Sequence, residues 1–357
     1  MHLLVTGGGS GGHVIPTIPV MALVRDAGNR VSFVGTNTEY ERRLLAGFEV
    51  EYHGIAAGKL RRYFSLANVR DAGRVLLGIW QAWRLLGRLR PDVIFSKGGF
   101  VAFPVVLAGW LRGISVVGHE SDFSPGLANR LSLPFLRTLC TSFAETRISG
   151  FKGRVMHTGS PLREELLAGS AARARTSLHI ADDRPVLLVT GGSLGAAVLN
   201  RVVLDALPRL LETWDVVHIC GPGRVERTGV AGYHPFEFVR EGWGDLLALA
   251  DVVVSRAGAN SLFELLTLGK LNLLVPLSAA ASRGDQIENA RFAAKAGYSA
   301  VVAEEAFDAD SLLTGLRALL ADARRYRERL DGFERPDAAR AIVAELFAVL
   351  ESPARQA

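Results

Sequence analysis

A glycine-rich loop followed by a histidine lies near the start of the chain. TGGGSGGHVIP occupies residues 6–16, and Gly7, Gly9 and Gly12 give it the GxGxxG spacing. Between a strand and a helix, such a loop lets main-chain N–H groups and the positive end of the helix approach a phosphate. The helix dipole also disfavours a protonated His13, so a neutral imidazole is available as a general base at about pH 7. Alternatively, His13 only caps or packs at the start of the helix.

Two more glycine loops follow strands and precede helices. FSKGGFVAFP carries Gly98 and Gly99, and TGGSLGA at 190–196 repeats the TGGGS of 6–10. A tight turn with close helix packing would account for any one of these loops. The three together favour a ligand held across a cleft between two domains.

The GxGxxG spacing is also typical of dinucleotide-binding dehydrogenases. Those enzymes need an acidic residue about 20 residues further on, at the end of the second strand, to bind the ribose hydroxyls. Here the strand 31–35 ends at Gly35, and Glu39 lies too far along. The pattern therefore disfavours hydride transfer.

Short apolar strands alternate with helical stretches along the chain. The predicted strands are 2–7, 31–35, 92–96, 114–120, 185–191, 215–221, 251–258 and 271–277. Their nearly continuous apolar character is typical of parallel strands buried on both faces and covered by helices. We predict Rossmann-like domains at 1–158 and 159–335. A C-terminal helix in 336–357 is expected to pack back on one of them, the N-terminal domain being the first choice.

The composition is that of a globular protein. The 357 residues are 49% hydrophobic and 22% charged, which suffices for two domains with separate cores. Cys140 and Cys220 lie in apolar runs without metal-ligand spacing and are expected to be buried thiols of a reducing compartment. We expect no secretory leader and no membrane-spanning segment. The net charge of +5 indicates an anionic partner, which could be a phosphorylated metabolite, an anionic lipid or a nucleic acid.

Six motifs in a fixed order suggest a family. They are TGGGSGGHVIP, SKGGFVAFP, GHESDFSPGLANR, GSPLREEL, TGGSLGAAVLN and SRAGANSLFELLTLG, followed by DQIENA. With these motifs the chain resembles the MurG-type N-acetylglucosaminyltransferases over about residues 2–330. The resemblance implies the GT-B fold, an α/β architecture in which two Rossmann-like domains with parallel sheets face a deep cleft.

The resemblance also implies an activity. Enzymes of this family transfer N-acetylglucosamine from UDP-N-acetylglucosamine to undecaprenyl-pyrophosphoryl-muramoyl-pentapeptide, with inversion, during peptidoglycan synthesis. They act as peripheral proteins at the cytoplasmic face of the cell membrane, without a cofactor or an essential metal. The implied partners are thus the nucleotide sugar, the lipid-linked acceptor and the anionic inner membrane surface, and no nucleic acid.

The residues that would carry this activity follow from the motifs. His13 is implied at the reaction centre, and His119 with Glu120, at the end of a strand, is a second catalytic candidate. The implied donor contacts are Ser10, Gly11, Gly12, Arg163, Ser193, Leu194, Gly195, Val239, Arg240, Glu264, Asp285, Gln286 and Asn289. The implied acceptor contacts are Gly98, Gly99, Phe100, Asp122 and Asn129.

Several of these residues have a defined role in the resemblance. Arg163 and the loop 191–196 would neutralise the diphosphate, Glu264 would hold the ribose hydroxyls, and the main chain near Val239 would pair with uracil. Gln286 would hydrogen bond the sugar.

For three of the candidates, a purely structural role is the alternative. Arg163 could pair with a neighbouring acid, and Glu264 could be a first-turn acid that favours the helix dipole. His119 could likewise be a satisfied histidine beside a helix-capping carboxylate.

The chain departs from the family pattern at two points. Asp122 stands where many members carry asparagine, and Asp285-Gln286 replaces a pair of amides or a His-Gln pair. The departure at Asp122 leaves open a GT-B relative with another lipid or small acceptor. A UDP-sugar epimerase and a nucleotide-sugar sensor without activity, on the same two-domain architecture, are two further rivals.

A basic segment rich in aromatic residues completes the sequence features. Residues 59–90 contain eight lysines or arginines and one acid, Asp71, interleaved with Trp80 and Trp83. Such a helix edge could form an interfacial membrane contact, together with Trp110 and Leu111. The alternative is a helix that packs on the sheet and exposes solvated arginines, and most of its leucines are expected to pack in that way.

Overall fold

Apolar strands at regular intervals build two parallel sheets, one in each half of the chain. The computed structural model describes residues 1–58, 66–146, 148–181, 183–192, 195–226, 228–239 and 241–351. They divide into two units. Unit 1 contains the residues up to Arg163 and the C-terminal stretch from Pro336, and unit 2 contains Glu164–Arg335.

Among the described residues, the sheet of unit 1 has seven strands. They are β1 (His2–Gly7), β2 (Arg30–Thr36), β3 (Glu51–Ile55), β4 (Val93–Gly98), β5 (Ser115–Glu120), β6 (Thr138–Thr141) and β7 (Arg154–His157). Their order is β3-β2-β1-β4-β5-β6-β7, with parallel neighbours throughout. Successive residues of β1 and β4 enter the cores on opposite faces, so both faces are buried, as the continuous apolar pattern predicts.

Helices cover this sheet on both sides. The first six are α1 (Gly11–Val14), α2 (Thr17–Asp26), α3 (Glu39–Leu44), α4 (Leu66–Leu89), α5 (Ala102–Leu111) and α6 (Leu127–Ser132), followed by a 3-10 turn at Leu133–Phe135. Met21 of α2 packs on one face, and Leu86 of α4 and Val105 of α5 pack on the other. Among the described helices, none combines the length and apolarity needed to cross a bilayer.

Unit 2 repeats the same architecture, with six strands in the part of it that the structure describes. They are β8 (Val186–Thr190), β9 (Asp215–Ile219), β10 (Tyr233–Phe236), β11 (Val252–Ser255), β12 (Leu271–Leu274) and β13 (Ala300–Val301). The order is β10-β9-β8-β11-β12-β13, again parallel. Its helices are α7 (Glu164–Leu167), α8 (Ala171–Leu178), α9 (Ala197–Leu210), α10 (Trp243–Leu249), α11 (Ala259–Thr267), α12 (Asp285–Ala296), α13 (Ala309–Ala321) and α14 (Ala323–Asp331), with a 3-10 turn at Glu304–Ala306.

The last helix, α15 (Ala338–Glu351), belongs to unit 1. Its apolar residues, such as Ile342, join the core that also contains α2. The buried Glu345 accepts hydrogen bonds from Thr138 Oγ1 at 2.6 Å and from Arg154 Nη1 at 2.9 Å. The helix is thus tied to β6 and β7 by polar as well as apolar contacts.

The division between the units lies after Arg163 rather than at the predicted 158/159. The contacts of Gly159 explain the difference. Its N–H donates to the Thr141 carbonyl at 3.2 Å, and its own carbonyl accepts from His119 Nε2 at 3.0 Å. The segment after β7 therefore stays attached to unit 1.

The shared strand order gives each unit an equivalent place for a ligand. The order reverses between β1 and β4 in unit 1, and between β8 and β11 in unit 2. In open parallel sheets, ligands bind beside the carboxyl ends of the strands at such a reversal. The three predicted glycine loops follow β1, β4 and β8. The predicted α/β class with two Rossmann-like parallel-sheet domains is therefore confirmed.

Candidate active site

A buried carboxylate holds the first glycine loop. Glu41 of α3 has no accessible surface, and its Oε1 accepts a hydrogen bond from the Gly9 N–H at 2.7 Å. Its oxygens also accept from the Thr36 N–H (2.7 Å), the Thr36 hydroxyl (2.6 Å) and the Tyr52 hydroxyl (2.8 Å). Gly8 lies close against it, since a Cβ there would come within 2.6 Å of Oε1. Glu41 thereby fixes the main chain that leads into α1.

His13 lies in this short helix and is half-buried. Its Nδ1 is 3.2 Å from the carbonyl oxygen of Lys97 on β4. Because a carbonyl oxygen only accepts, Nδ1 carries the proton in this hydrogen bond, and the neutral ring has its lone pair on Nε2. Ser10 precedes α1 without capping it through its side chain, Gly11 is buried, and Gly12 is exposed.

The second glycine loop packs against the first. Gly98 and Gly99 have φ angles of +91° and +87°, which favour glycine. A Cβ on Gly99 would collide with the Gly8 carbonyl oxygen, so this approach requires glycine. The Phe100 ring borders Gly9, where a Cβ would be 3.5 Å from a ring carbon. Three predicted acceptor residues therefore lie beside the first loop.

His119 is fully buried, and both of its ring nitrogens hydrogen bond within unit 1. Nδ1 is 2.8 Å from the Lys97 ammonium nitrogen, and Nε2 is 3.0 Å from the Gly159 carbonyl oxygen. Burial, with the Lys97 charge beside the ring, holds the pKa of His119 well below its usual value. In this structure the ring of His119 links neighbouring segments of unit 1, and its catalytic role stays a prediction.

Glu120 and Asn129 shape the loop between β5 and α6. Glu120 Oε1 accepts from the Asp122 N–H (2.9 Å), and Oε2 accepts from the Gly126 N–H (3.0 Å) and Asn129 Nδ2 (2.8 Å). Burial, reinforced by Asp122, raises the pKa of Glu120. Both Glu120 and Asn129 are buried among these partners. They support a loop that carries the half-buried Asp122, and their predicted catalytic and acceptor contacts stay predictions.

The glycine loop of unit 2 ends in a tight turn. The Gly195 N–H donates to the Gly192 carbonyl at 2.9 Å, and both residues have positive φ angles, +69° and +83°. Gly195 also lies so close to the Cys220 carbonyl that a Cβ would collide with it. Asn200 Nδ2 donates to that carbonyl at 2.8 Å, and His218 Nε2 lies 3.1 Å from Asn200 Oδ1. A buried polar network thus fixes the end of the loop.

The helix α9 begins directly after this loop. Ala196, the residue before it, has no side chain that could cap the first N–H groups. These groups are the usual partners of a phosphate at a helix N-terminus. Ser193 and Leu194, the predicted contacts in the middle of the loop, lie outside the described residues.

Glu264 lies in the second turn of α11 and is half-buried. Its Oε2 accepts a hydrogen bond from the indole Nε1–H of Trp243, the first residue of α10, at 3.2 Å. Because the first turn of α11 holds no acid, the alternative of an acid that favours the helix dipole is wrong. Trp243 instead orients the carboxylate.

The residues predicted to bind the sugar differ in their exposure. Asp285 begins α12, and Gln286 Oε1 accepts from the Leu277 N–H at 3.0 Å, which leaves the amide nitrogen of Gln286 to donate. Asn289 is fully buried and donates from Nδ2 to the Ala257 carbonyl at 3.1 Å. Asn289 thus links α12 to the loop before α11, and its predicted sugar contact stays a prediction.

The remaining predicted donor residues lie near the ends of elements. Arg163 is half-buried just before α7, and Val239 is half-buried three residues after β10. Arg240 lies outside the described residues. Within the part of the chain that the structure describes, no group of three or more His, Cys, Asp or Glu could hold a metal ion.

Sequence reasoning missed three residues that organise the site. Lys97 had a usable signal, because a charged residue inside a buried strand before Gly98 needs a partner. Glu41 and Trp243 had none: one lies in the charged run TEYERR, and the other is one of five tryptophans. Their importance comes from contacts with distant segments.

Comparison with known families shows which family contains a chain with these loops. Residues 3–141 match the glycosyltransferase family 28 N-terminal domain, and residues 186–342 match the glycosyltransferase family 28 C-terminal domain. The chain belongs to glycosyltransferase family 28. The two matched regions together contain all three glycine loops.

Individual relatives give a finer comparison. Proteins named UDP-N-acetylglucosamine–N-acetylmuramyl-(pentapeptide) pyrophosphoryl-undecaprenol N-acetylglucosamine transferase are similar to this chain. The relative from Lachnospira eligens is 45% identical, covering 94% of this chain and 95% of its own. The relative from Geobacillus thermodenitrificans is 44% identical, covering 92% and 93%. The crystal structure of Acinetobacter baumannii MurG matches with a TM-score of 0.74 and 25% identity, covering 97% and 99%. The resemblance to MurG-type glycosyltransferases, and with it the GT-B fold, is confirmed.

Proposed function

We propose that this protein transfers N-acetylglucosamine from UDP-N-acetylglucosamine to undecaprenyl-pyrophosphoryl-muramoyl-pentapeptide, with inversion, in peptidoglycan synthesis. The observation that carries the proposal is the identity of 45% to a transferase of that name, over 94% of this chain. The organisation of the glycine loops supports it, because a nucleotide-sugar transferase needs a base for the acceptor and a phosphate site for the donor.

In this reaction His13 is the base. Its Nδ1–H is engaged by the Lys97 carbonyl, so Nε2 accepts the proton of the acceptor hydroxyl. The hydroxyl oxygen forms a bond to the anomeric carbon of N-acetylglucosamine while the bond from that carbon to the diphosphate oxygen breaks. A single displacement of this kind inverts the anomeric centre. UDP leaves with the bonding electron pair.

The departing diphosphate needs positive partners. In the proposed mechanism these are the N–H groups at the start of α9 and the guanidinium group of Arg163, with Ser193, Leu194 and Gly195 at the phosphates. Oriented N–H groups stabilise a developing negative charge without reorganisation, and arginine adds a charge-assisted hydrogen bond. No step requires a metal or a cofactor.

The rest of the donor is held by separate groups. Glu264, oriented by Trp243, accepts hydrogen bonds from the ribose hydroxyls, and the main chain near Val239 and Arg240 pairs with uracil. Gln286 donates to a sugar hydroxyl through its amide nitrogen, with Asp285 beside it. Ser10, Gly11 and Gly12 contact the sugar or the diphosphate. On the acceptor side, the proposed contacts are Gly98, Gly99 and Phe100 of the second glycine loop and Asp122 of the loop after β5.

We further propose that α4 and α5 dock on the anionic inner surface of the cell membrane, where the lipid acceptor resides. Trp80 and Trp83 of α4 and Trp110 and Leu111 of α5 are each about half exposed. Arginines accompany them, with Arg112 lying 4.1 Å from the Trp83 ring centroid. Of the basic segment 59–90, residues 59–65 lie outside the described residues.

A turnover assay tests the proposed function. Purified protein is incubated with radiolabelled UDP-N-acetylglucosamine, with or without a detergent-solubilised muramoyl-pentapeptide lipid. We expect labelled lipid and stoichiometric UDP only when the acceptor is present. Isomerised UDP-sugar without an acceptor would identify an epimerase, and transfer only to other acceptors would identify a related transferase. UDP-sugar binding without any turnover would identify a sensor.

Complementation provides the cellular test. A strain that depends on a conditional copy of its own lipid-linked N-acetylglucosaminyltransferase should grow without that copy when this protein is expressed. An otherwise identical His13→Ala chain should not support growth. Growth with both chains, or with neither despite stable expression, would contradict the proposal.

A further inference from the structure

A fully buried lysine lies beneath the second glycine loop. Lys97 is the penultimate residue of β4, directly before Gly98, and only 1% of its surface is accessible. Moving an ammonium group out of water is strongly unfavourable unless it is paired, whereas a methionine would fill a similar volume without that penalty. The contacts of the ammonium group must therefore explain why a lysine is present.

These contacts join three segments of unit 1. The Lys97 ammonium group donates to His119 Nδ1 at 2.8 Å and to the Ser121 hydroxyl. His119 Nε2 in turn donates to the Gly159 carbonyl at 3.0 Å. Since an ammonium group has no lone pair, His119 must be neutral with its proton on Nε2. A continuous path of hydrogen bonds thus runs from β4 across β5 to the segment before Arg163.

The same lysine also contacts His13, through its main chain. The Lys97 carbonyl accepts the hydrogen bond from His13 Nδ1 at 3.2 Å. The direction of this carbonyl depends on the path of the chain into Gly98, whose φ angle is +91°. Anchoring the Lys97 side chain therefore restrains the acceptor that selects the tautomer of His13.

Titratable groups from three segments act on this lysine. Burial lowers the pKa of Lys97 to about 8, while Glu120 on β5, Asp122 in the following loop and Cys140 on β6 act in the opposite direction. His119 lies in contact but is neutral by the hydrogen-bond argument. The carboxylates of Glu120 and Asp122 are thus the groups that keep a cation acceptable at this depth.

We propose that Lys97 is a positioning residue of the transfer reaction. Its ammonium group, held by His119 and Ser121, fixes the end of β4 so that the Lys97 carbonyl keeps His13 in the tautomer with a basic Nε2. The kinetic part of this inference rests on the proposed transferase function, whereas the placement of His13 does not.

The kinetic test compares Lys97→Met with Lys152→Met, which removes an exposed lysine of the same unit. Because small displacements of a catalytic group have large effects, we expect Lys97→Met to lower kcat about 10- to 100-fold. UDP affinity and the KM for UDP-N-acetylglucosamine should stay within about twofold, since the proposed nucleotide contacts are made by other residues. Lys152→Met should match the unchanged protein. If the kcat of Lys97→Met is within about twofold of the kcat of the unchanged protein, the proposal is overturned.

A spectroscopic test works even if the protein transfers no sugar. The ¹⁵N shifts of the histidine rings report which nitrogen carries the proton. We expect His13 to be protonated on Nδ1 and His119 on Nε2, and we expect Lys97→Met to shift His13 towards the other tautomer. An unchanged His13 tautomer in Lys97→Met would overturn the inference, whatever the kinetics. If the unchanged protein has no transferase activity, the proposed function fails while this readout still decides the role of Lys97.

Two substitutions of His119 serve if Lys97→Met does not fold. His119→Asn keeps an acceptor near the Nδ1 position for Lys97 but cannot reach Gly159. His119→Gln keeps a donor for Gly159 but removes the acceptor for Lys97. If anchoring of Lys97 is what matters, His119→Gln should reduce kcat and disturb the His13 tautomer more than His119→Asn. Equal effects, or the reverse order, would contradict the proposal.

Discussion

His13 and His119 can perform different chemistry because their ring nitrogens have different hydrogen-bond partners. His119 uses both ring nitrogens in hydrogen bonds, to Lys97 and Gly159. His13 directs Nδ1 to a carbonyl, which leaves Nε2 as the basic atom of the neutral ring. At the scale of single residues, the assignment of the base therefore depends on which hydrogen bonds the protein makes to each ring.

Replacing His13 with alanine should lower turnover while UDP binding persists. Loss of a general base typically reduces the rate by about 100- to 10,000-fold. UDP release measures kcat, and calorimetry measures UDP affinity. His13→Asn is the matched control, because its amide can donate to the Lys97 carbonyl but cannot accept a proton as a base. It should be as slow as His13→Ala, and a fast His13→Asn enzyme would reject the base assignment.

Replacing Glu264 should have the opposite effect, on binding. Hydrogen bonds to a charged carboxylate are worth about 1.5–3 kcal/mol, so Glu264→Gln should weaken UDP binding by about 10- to 100-fold. Trp243→Phe should weaken it less, because it removes only the group that orients the carboxylate. Titration calorimetry with UDP and with uracil separates the ribose from the base. Unchanged UDP affinity in Glu264→Gln would exclude the ribose role.

The buried lysine should make stability depend on pH. The pKa of Lys97 is about 8 in the folded protein against 10.5 for an ordinary lysine, because burial disfavours its charge. The unfolded chain therefore binds more protons between these values, so this group makes the free energy of unfolding rise with pH across that window. Urea unfolding between pH 8 and pH 10 should show a smaller rise for Lys97→Met than for Lys152→Met. Equal slopes would mean that burial does not lower the pKa of Lys97 in the folded protein.

At the scale of elements, the sequence predicted the glycine loops but not the residues that hold them in place. Glycines after β1, β4 and β8 mark the loops in the sequence, because turns with positive φ and close main-chain approach require that residue type. Glu41 reaches the first loop from α3, and Asn200 fixes the last loop through Cys220. Such supports come from segments whose local pattern says nothing about their partner. For the same reason the sequence did not reveal the structural role of Asn289, since its burial depends on the packing of α12.

Removing the Glu41 carboxylate should destabilise unit 1. Glu41→Ala leaves the Gly9 and Thr36 N–H groups without their acceptor, at about 1–3 kcal/mol for each buried group, so we expect a loss of about 3 kcal/mol or more. Glu39→Ala on the same helix is the control. It removes an exposed ion pair with Arg43 and should cost about 0.5 kcal/mol or less. Urea unfolding at about pH 7 measures both. Similar losses in the two variants would mean that Glu41 does not hold the loop.

At the scale of the whole molecule, the two parallel-sheet domains and the family were readable from the sequence, whereas exact limits were not. Alternating apolar strands and helices predicted the parallel sheets. Edge strands such as β7 and β13, with four and two residues, are too short to show that pattern and were not predicted. The limit at Arg163 depends on the contacts of Gly159, which connect β7 to β5 and β6. Some apolar residues of the basic segment are in the core and others are at the surface. The periodicity of the sequence did not predict which side chain lies where.

The proposed membrane contact can be tested at the exposed tryptophans of α4. Trp80 and Trp83 expose 53% and 46% of their surface on α4, next to arginines, while Leu86 packs in the core. Ring insertion and attraction to anionic headgroups should both contribute to binding, so affinity should fall with salt and with fewer anionic lipids.

Replacing both tryptophans with serine should lower co-sedimentation with phosphatidylglycerol vesicles about tenfold or more. Leu167→Ser with Leu320→Ser, two exposed leucines of unit 2, is the matched control and should bind as the unchanged protein does. Equal binding by all three proteins, or no preference for anionic vesicles at moderate salt, would exclude α4 and α5 as the membrane contact.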